Sequence, residues 1–301
     1  MRVAVTGPGG RLGRALMTSL ADAPFTGPGG PIGWSRPDYD LDDPAAAARL
    51  VERDRPELVI HAAAWTDTEG CARDPALAKR RNGHAVGELA RACASAGADL
   101  VVLSTNEVFD GRRSDGRAYA TDDEPAPLNP YGASKLAGER AAAEAWRAAP
   151  RGSSLAIVRT TWLYGPPGND FPSKLLAAAE RSAQANEPLR AVNDEIGSPS
   201  YAPDVAEAIV AAAGEDGPFS LGRIEHIVNG GVASRADWAR ELLRQSGIAV
   251  PIEEVPAATW PRASTPPLWG VLAPTRPLRS WQAALADYVP ILLRQRAAAA
   301  R

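Results

Sequence analysis

Arg2-Val-Ala-Val-Thr-Gly-Pro-Gly-Gly-Arg-Leu-Gly13 decides the fold. A short apolar run opens directly into a turn with glycine at positions 7, 10 and 13, and a helical pattern follows over residues 11–21. Strand, glycine turn and helix in that order begin a dinucleotide-binding α/β unit. The reason is steric and electrostatic. A pyrophosphate needs a backbone it can approach closely and a helix N-terminus aimed at its charge. Gly7, Gly10, Arg11, Leu12 and Gly13 are therefore candidate cofactor residues. Thr-Gly-Pro-Gly-Gly recurs at 26–30, where Pro31 follows instead of a helix, so this copy reads as a plain turn.

Outward from this unit, residues 57–63, 98–104 and 154–158 read as strands apolar on both faces. Helical patterns lie between them, over 76–96 and from Pro130 to about Trp146. Such alternation predicts a parallel sheet covered on both sides. The expected fold is α/β: a Rossmann-type doubly wound parallel sheet with a smaller C-terminal substrate-binding domain. Residues 1–163 would form the NAD(P)-binding domain. Residues 164–301 would be mainly substrate-binding, with some segments returning to the sheet. Helices are expected at 203–213, 234–246 and 281–295, and the proline-rich stretch 251–278 reads as loop.

Charge is nearly balanced, with 33 Lys and Arg against 36 Asp and Glu. That excludes the concentrated positive field of a nucleic-acid binder, while a local cluster for an anionic small molecule stays open. No stretch approaches the roughly 20 apolar residues of a membrane span, and the chain enters its first strand without a signal-like segment. The expectation is a cytoplasmic protein without membrane or nucleic-acid partners. Cys71 and Cys93 have neither zinc nor redox spacing and read as packing residues. His61, His84 and His226 are scattered, and no metal site is expected.

The second strand should end near residue 35. An acidic residue there would hold the adenosine ribose and repel a 2′-phosphate. This chain has Ser35-Arg36, and a guanidinium matches phosphate geometry. NADP(H) is favoured, with NAD(H) the alternative, and Asp40 and Leu41 would flank the adenine. Further on, Tyr131 and Lys135 share one helix face at a spacing of four. Ketone reduction needs a proton donor as hydride arrives at carbon. Free tyrosine, with a pKa of about 10, is a poor one near neutrality, and a neighbouring ammonium would lower that value. Ser104 and Thr105 end an upstream strand, where a hydroxyl can orient the carbonyl. Asn82 is a weaker candidate for supporting the lysine through water.

In this order, Thr6–Gly13, His61-Ala-Ala-Ala-Trp-Thr-Asp67, Ser104-Thr-Asn-Glu-Val-Phe-Asp-Gly111, Asn129-Pro-Tyr-Gly-Ala-Ser-Lys-Leu-Ala-Gly-Glu139, Arg159-Thr-Thr-Trp-Leu-Tyr-Gly165 and Gly197-Ser-Pro-Ser-Tyr201 make a specific combination. The chain resembles the dTDP-4-dehydrorhamnose reductase family of extended short-chain dehydrogenases over nearly its whole length. The resemblance implies NAD(P)H-dependent reduction of a keto group on a nucleotide-linked deoxysugar. It implies Thr105, Tyr131 and Lys135 as the catalytic set. Ala62, Ala63 and Ala64, with Ser104, would line the cofactor, and Tyr131 and Lys135 would also touch it. Trp162 would lie beside the sugar with Thr105, Asn106 and Glu107, and a homodimer is left open.

The departures are informative. The family usually has Asp-Tyr where this chain has Asn106-Glu107. Thr-Asp-Glu at that strand end is the acid/base set of nucleotide-sugar dehydratases, so Glu107 invites that reading, the more so because two positions after Thr105 on an extended segment it would share that strand face and point toward the substrate; Asn106, an amide, cannot supply the acid proton. Asp194-Glu195 stands for the family's Asp-Gln. Ala15 offers no ligand where some members bind a metal. The rival readings are a nucleotide-sugar dehydratase or epimerase, and a non-catalytic NADP-binding regulatory subunit. Of the remaining residues, Trp260, Trp269 and Trp281 are core or pocket, and basic residues including Arg262 are candidates for a diphosphate.

Overall fold

The computed structural model describes residues 1–148, 152–215 and 223–299. Its centre is β1 (Val3–Thr6), buried at every position. β1 pairs in parallel with β2 (Ile32–Trp34) on one side and β3 (Leu58–His61) on the other. The sheet continues through β4 (Asp99–Thr105) and β5 (Leu155–Thr160), and β10 (Arg223–His226) closes it; all pairings are parallel. The order β10-β5-β4-β3-β1-β2 reverses between β1 and β3. Beyond the carboxyl ends of the strands at such a reversal lies the crevice where α/β sheets bind ligands.

Alternation along each strand supplies two cores. Val3 and Val5 face a layer containing α1 (Arg11–Ala21) and α8 (Ala202–Glu215), where Leu16, Leu20, Val205 and Ile209 are fully buried. Ala4, Val59 and Leu100 face α2 (Ala46–Asp54), α5 (Ala85–Ala96) and α6 (Pro130–Ala148). Cys93 is buried in this second core, and Cys71 is buried on α3 (Thr68–Arg73). β1, β3, β4 and β5 thus have apolar side chains on both faces, which is why their sequences show apolar runs.

The helix expected over 76–96 runs from Pro75 to Ala96, with one widened turn inside it. The Asp74 side chain accepts from the Leu77 N–H at 2.9 Å and starts α4 (Pro75–Lys79). A π-turn over Arg80–His84 then leads into α5. The widened turn meets α6 where that helix carries Gly138, and a Cβ there would sit 2.3 Å from the Asn82 carbonyl oxygen. Single π-turns often mark functional sites, and this one puts Arg81 at the crevice and turns Asn82 into the interior.

The other lobe is built of very short pairings. β6 (Leu163–Tyr164) pairs with β9 (Ser200–Tyr201), β7 (Leu189–Val192) with β12 (Ile252–Val255), and β8 (Ile196–Gly197) with β11 (Ala233–Ser234). β12 and a single 3₁₀ turn at Ala257–Thr259 lie in the proline-rich stretch expected to be loop. α7 (Phe171–Ala185), α9 (Arg235–Ser246) and α10 (Trp281–Ala299) pack around Tyr164, Trp238, Trp281 and Tyr288. Trp281 is therefore a core residue.

Candidate active site

The glycine turn is as tight as its sequence implies. Gly7 has φ +65°, and a Cβ on it would lie 3.0 Å from the Ala63 Cα. Ala63 is itself fixed: its N–H donates to the Thr6 hydroxyl at 3.0 Å, and that oxygen lies 2.9 Å from His61 Nδ1. Burial pushes His61 down to about 3, so its imidazole is neutral at physiological pH. Gly10 stands at the N-cap of α1 with no side-chain cap, which leaves the helix amides open to an anion.

Beside the turn is a crevice of about 430 Å³. Gly7 and Gly10 line it with Ser35, Arg36, Asp40 and Leu41, and Ala62, Ala63 and Ala64 line it from the β3 side. The structure thus brings these predicted positions together. Trp65 and Arg81 line it too and were not anticipated; Arg81 is set by a two-pronged ion pair to Asp42 and lies over the Trp65 ring. Leu12 and Gly13 are buried beneath the turn. The Arg11 guanidinium reaches away, donating to the carbonyls of Gly165 and Gly168 at 3.1 and 2.8 Å. What Arg11 and Leu12 offer a dinucleotide is their backbone.

β4 delivers Ser104 and Thr105 to opposite sides, as a pleat must. The Ser104 hydroxyl donates to Glu139, and Glu139 also takes a two-pronged bond from Arg159 at 3.0 and 2.6 Å, all of it buried. The Ser104 side chain therefore braces α6 from the interior side. Thr105 faces the site. Its hydroxyl accepts from the Glu107 N–H at 3.1 Å and hydrogen-bonds the Tyr131 side chain.

That capping bond ends the strand. Asn106–Val108 form a 3₁₀ turn, so the extended geometry expected for Glu107 is corrected: it reaches the site by the turn, not by strand alternation. Its Oε2 accepts from the Asn129 side chain at 2.7 Å. Asn129 also donates to the Thr265 carbonyl at 2.9 Å and accepts from the Gly132 N–H at 2.8 Å. This buried amide holds the start of α6, Glu107 and the far loop together. The signal that could have found it is an Asn directly ahead of Pro130, the residue type that caps helices. α6 presses so close that a Cβ on Gly132 would sit 2.0 Å from the Glu107 carbonyl oxygen.

Tyr131 is half-buried at this junction. Its phenol is pushed up, first by burial and then by the Glu107 carboxylate, with the Thr105 hydrogen bond acting the other way. The expected lowering by Lys135 is absent among the groups acting on it. Lys135 is buried and itself pushed down to about 8 by burial, with Glu139 opposing. The reason is that Lys135 is set among interior groups, where its charge acts on His61 and Glu139 instead. The phenol is consequently held protonated, the form a proton donor must have.

Asn82 is also redirected. Its Oδ1 accepts from the Trp65 N–H at 2.8 Å, while Nδ2 donates to the Trp65 carbonyl at 2.9 Å and to Ser134 Oγ at 3.0 Å. It staples the segment after β3 to α6 rather than reaching the lysine. Trp162 has φ +45°, with the Arg235 guanidinium 3.5 Å from its ring centroid and Trp238 stacked at 5.8 Å. Its aromatic surface is shared with that cation. Arg235 in turn pairs with buried Glu195. Burial lowers it to about 10, still charged at pH 7. Beyond lies a second cavity of about 800 Å³, with Glu195, Arg262, Trp260, Trp269 and Leu268 in its wall.

A parallel sheet with a glycine turn at its switch point, and a Thr-Tyr-Lys set on the strand and helix beside it, define an extended short-chain dehydrogenase/reductase. Residues 1–293 match the family model described as the RmlD substrate binding domain, and the chain belongs to that family. It is 37% identical over 297 residues to the dTDP-4-dehydrorhamnose reductase of Mycobacterium tuberculosis (strain CDC 1551 / Oshkosh), covering 95% of this chain and 91% of that one. It is 34% identical to the dTDP-4-keto-6-deoxy-D-glucose reductase of Streptomyces niveus, with 96% of each covered. The structure is similar to a dTDP-4-dehydrorhamnose reductase from Bacillus anthracis in complex with NADP, with TM-score 0.83, 27% identity, and 96% and 99% of the two chains covered.

Proposed function

We propose that the chain reduces the keto group of a nucleotide-linked deoxysugar, of the dTDP-4-dehydrorhamnose kind, with NADPH as the favoured cofactor. One observation carries the reading: the end of β4 and the first turns of α6 bring Thr105, Tyr131 and Lys135 to the sheet whose switch point holds a glycine turn that a Cβ would fill. The cradle and the uncapped start of α1 fit a pyrophosphate, and the crevice fits the adenosine half. When bound, the cofactor supplies the hydride. Thr105 and Tyr131 place their hydroxyls on the substrate oxygen, and Tyr131 gives its proton to it. Lys135, one turn further along α6, would stabilise the phenolate left behind, and Asn129 holds the helix that carries both. The relatives are biosynthetic enzymes, and we place this one in the cytoplasm as a candidate homodimer; among the described residues no helix is long and apolar enough to cross a membrane. The test is stoichiometric oxidation of NADPH by a panel of nucleotide-linked keto sugars. An epimerase, a dehydratase or a regulatory subunit gives no net consumption.

The cofactor choice rests on Arg36, which is exposed at the crevice rim. Arg36→Ala is expected to weaken NADPH binding about tenfold or more, the worth of one charge-assisted contact, and to leave NADH binding nearly alone. Equal losses in a titration of both cofactors return Arg36 to solvent.

Glu107 is the feature favouring a dehydratase. Burial raises its carboxyl, which makes it a better proton acceptor than an exposed glutamate. No acid accompanies it, since Asn106 is an amide that accepts from Thr105 at 3.3 Å. Glu107→Gln is therefore expected to keep ketone reduction and mainly raise KM. Mass spectrometry after incubation with a nucleotide-linked glucose and catalytic NAD decides it. A 4-keto-6-deoxy product from wild type that the Gln variant fails to make assigns a dehydratase.

A further inference from the structure

Outward from Tyr131 and Glu107 lie three charges that the reduction does not use: Glu195, Arg235 and Arg262. Glu195 is buried at the centre, its side chain only 2% exposed, with Arg262 NH1 at 2.7 Å and Arg235 Nε at 3.3 Å. Glu107, next to Tyr131, acts electrostatically with all three. The two arginines are not equivalent. Arg235 is fixed at the start of α9, its guanidinium stacked on Trp162 and near Phe171. Arg262 is a third exposed and lines the cavity. Its backbone is nonetheless held, because the Glu69 carboxylate accepts from the N–H groups of Ala263 and Ser264 at 2.9 and 3.1 Å. Only the Arg262 side chain has freedom to swing.

The order of groups along this path matches a nucleotide sugar. The proton donor comes first, then two guanidiniums around one carboxylate, then a cavity with Trp260 and Trp269 in its wall. Guanidiniums suit phosphate oxygens, and indole faces suit a base. We propose that Arg235 and Arg262 are the seat of the substrate diphosphate, and that Glu195 is its internal competitor: a resident counter-ion from which Arg262 must turn when a diphosphate binds. This rests on the nucleotide-sugar reading above. A buried carboxylate beside the seat keeps the two cations neutralised while no phosphate is present, and each diphosphate oxygen that arrives meets its charge. Glu195 therefore limits affinity instead of contributing to it.

The experiment is calorimetric titration of the full chain with dTDP, inorganic pyrophosphate and thymidine. Glu195→Gln keeps shape and removes charge. It is expected to tighten dTDP and pyrophosphate by roughly threefold to tenfold, the order of one charged contact, and to leave thymidine unchanged. Arg262→Met should loosen dTDP about tenfold or more, again without moving thymidine. In the double variant the gain from Glu195→Gln should be smaller than in the wild-type background, because part of it acts through the contact with Arg262. Weaker or unchanged dTDP binding in Glu195→Gln overturns the proposal, as does an equal shift for thymidine. If that variant does not fold, Arg262→Met decides, and undiminished dTDP affinity there overturns it. Wild type that binds dTDP yet reduces no keto sugar defeats the reductase reading and leaves the seat intact.

Discussion

Tyr131→Phe is expected to lower turnover by about 10²–10⁴-fold, the usual worth of a positioned general acid, while NADPH still binds. Only one oxygen is removed. The ring stays against α6 and the junction with Thr105. In wild type that oxygen is held protonated by burial and by the Glu107 carboxylate. The donor is therefore loaded at neutral pH, and its difficulty lies in giving the proton up. That difficulty is met as the reaction proceeds: negative charge grows on the substrate oxygen, which pulls the proton across, and Lys135 is the nearest cation on the same helix face. The check is a steady-state NADPH assay with a keto-sugar substrate, paired with a binding titration of NADPH. Unchanged turnover removes Tyr131 from the acid role. Lost cofactor binding points instead to a collapsed crevice.

Much of this was legible in the chain. Val3–Thr6, Leu58–His61, Asp99–Thr105 and Leu155–Thr160 show as apolar runs because the sheet buries both faces of each. The glycine turn was legible because its spacing answers to a steric need. The helices of the substrate lobe at 234–246 and 281–295 were legible, but its strands were not, because they are mostly two residues long, too short for any period, and Pro251 stands directly before one of the longer ones. The widened turn at Arg80–His84 left no mark, because one extra residue in a turn does not disturb an alanine-rich pattern. Glu107 was placed by strand alternation, and the Thr105 hydroxyl overrode it by capping a 3₁₀ turn. The sign of the effect on Tyr131 was missed for a related reason. A spacing of four puts Lys135 on the tyrosine's helix face, yet says nothing of burial, which dominates both side chains. The Glu195 cluster joins residues 195, 235 and 262, and no local pattern brings such distant charges together.

Gly13→Ala is expected to cost cofactor affinity 100-fold or more, and stability as well. A Cβ on Gly13 would lie 2.1 Å from the Gly7 carbonyl oxygen, 2.9 Å from its carbonyl carbon and 3.0 Å from the Pro8 Cα. These are backbone atoms, and they cannot rotate aside as a side chain does. Gly7 has little room to retreat toward β3, where the space of a single Cβ would already come within 3.0 Å of the Ala63 Cα. The turn must therefore move off the start of α1. Overpacking of this kind typically costs about 1–3 kcal/mol of stability. The loss in binding is larger, because the same shift misaligns several amides that would meet the pyrophosphate at once. Two such charge-assisted bonds at about 1.5–3 kcal/mol each amount to roughly 100-fold or more. Gly9→Ala is the control in the same turn: its Cβ meets nothing within 4 Å, so its melting temperature should stay at the wild-type value. Thermal melts and NADPH titrations of both variants decide the matter. A Gly13→Ala protein that melts like wild type and binds NADPH as tightly shows that α1 can stand further from the turn than the structure places it.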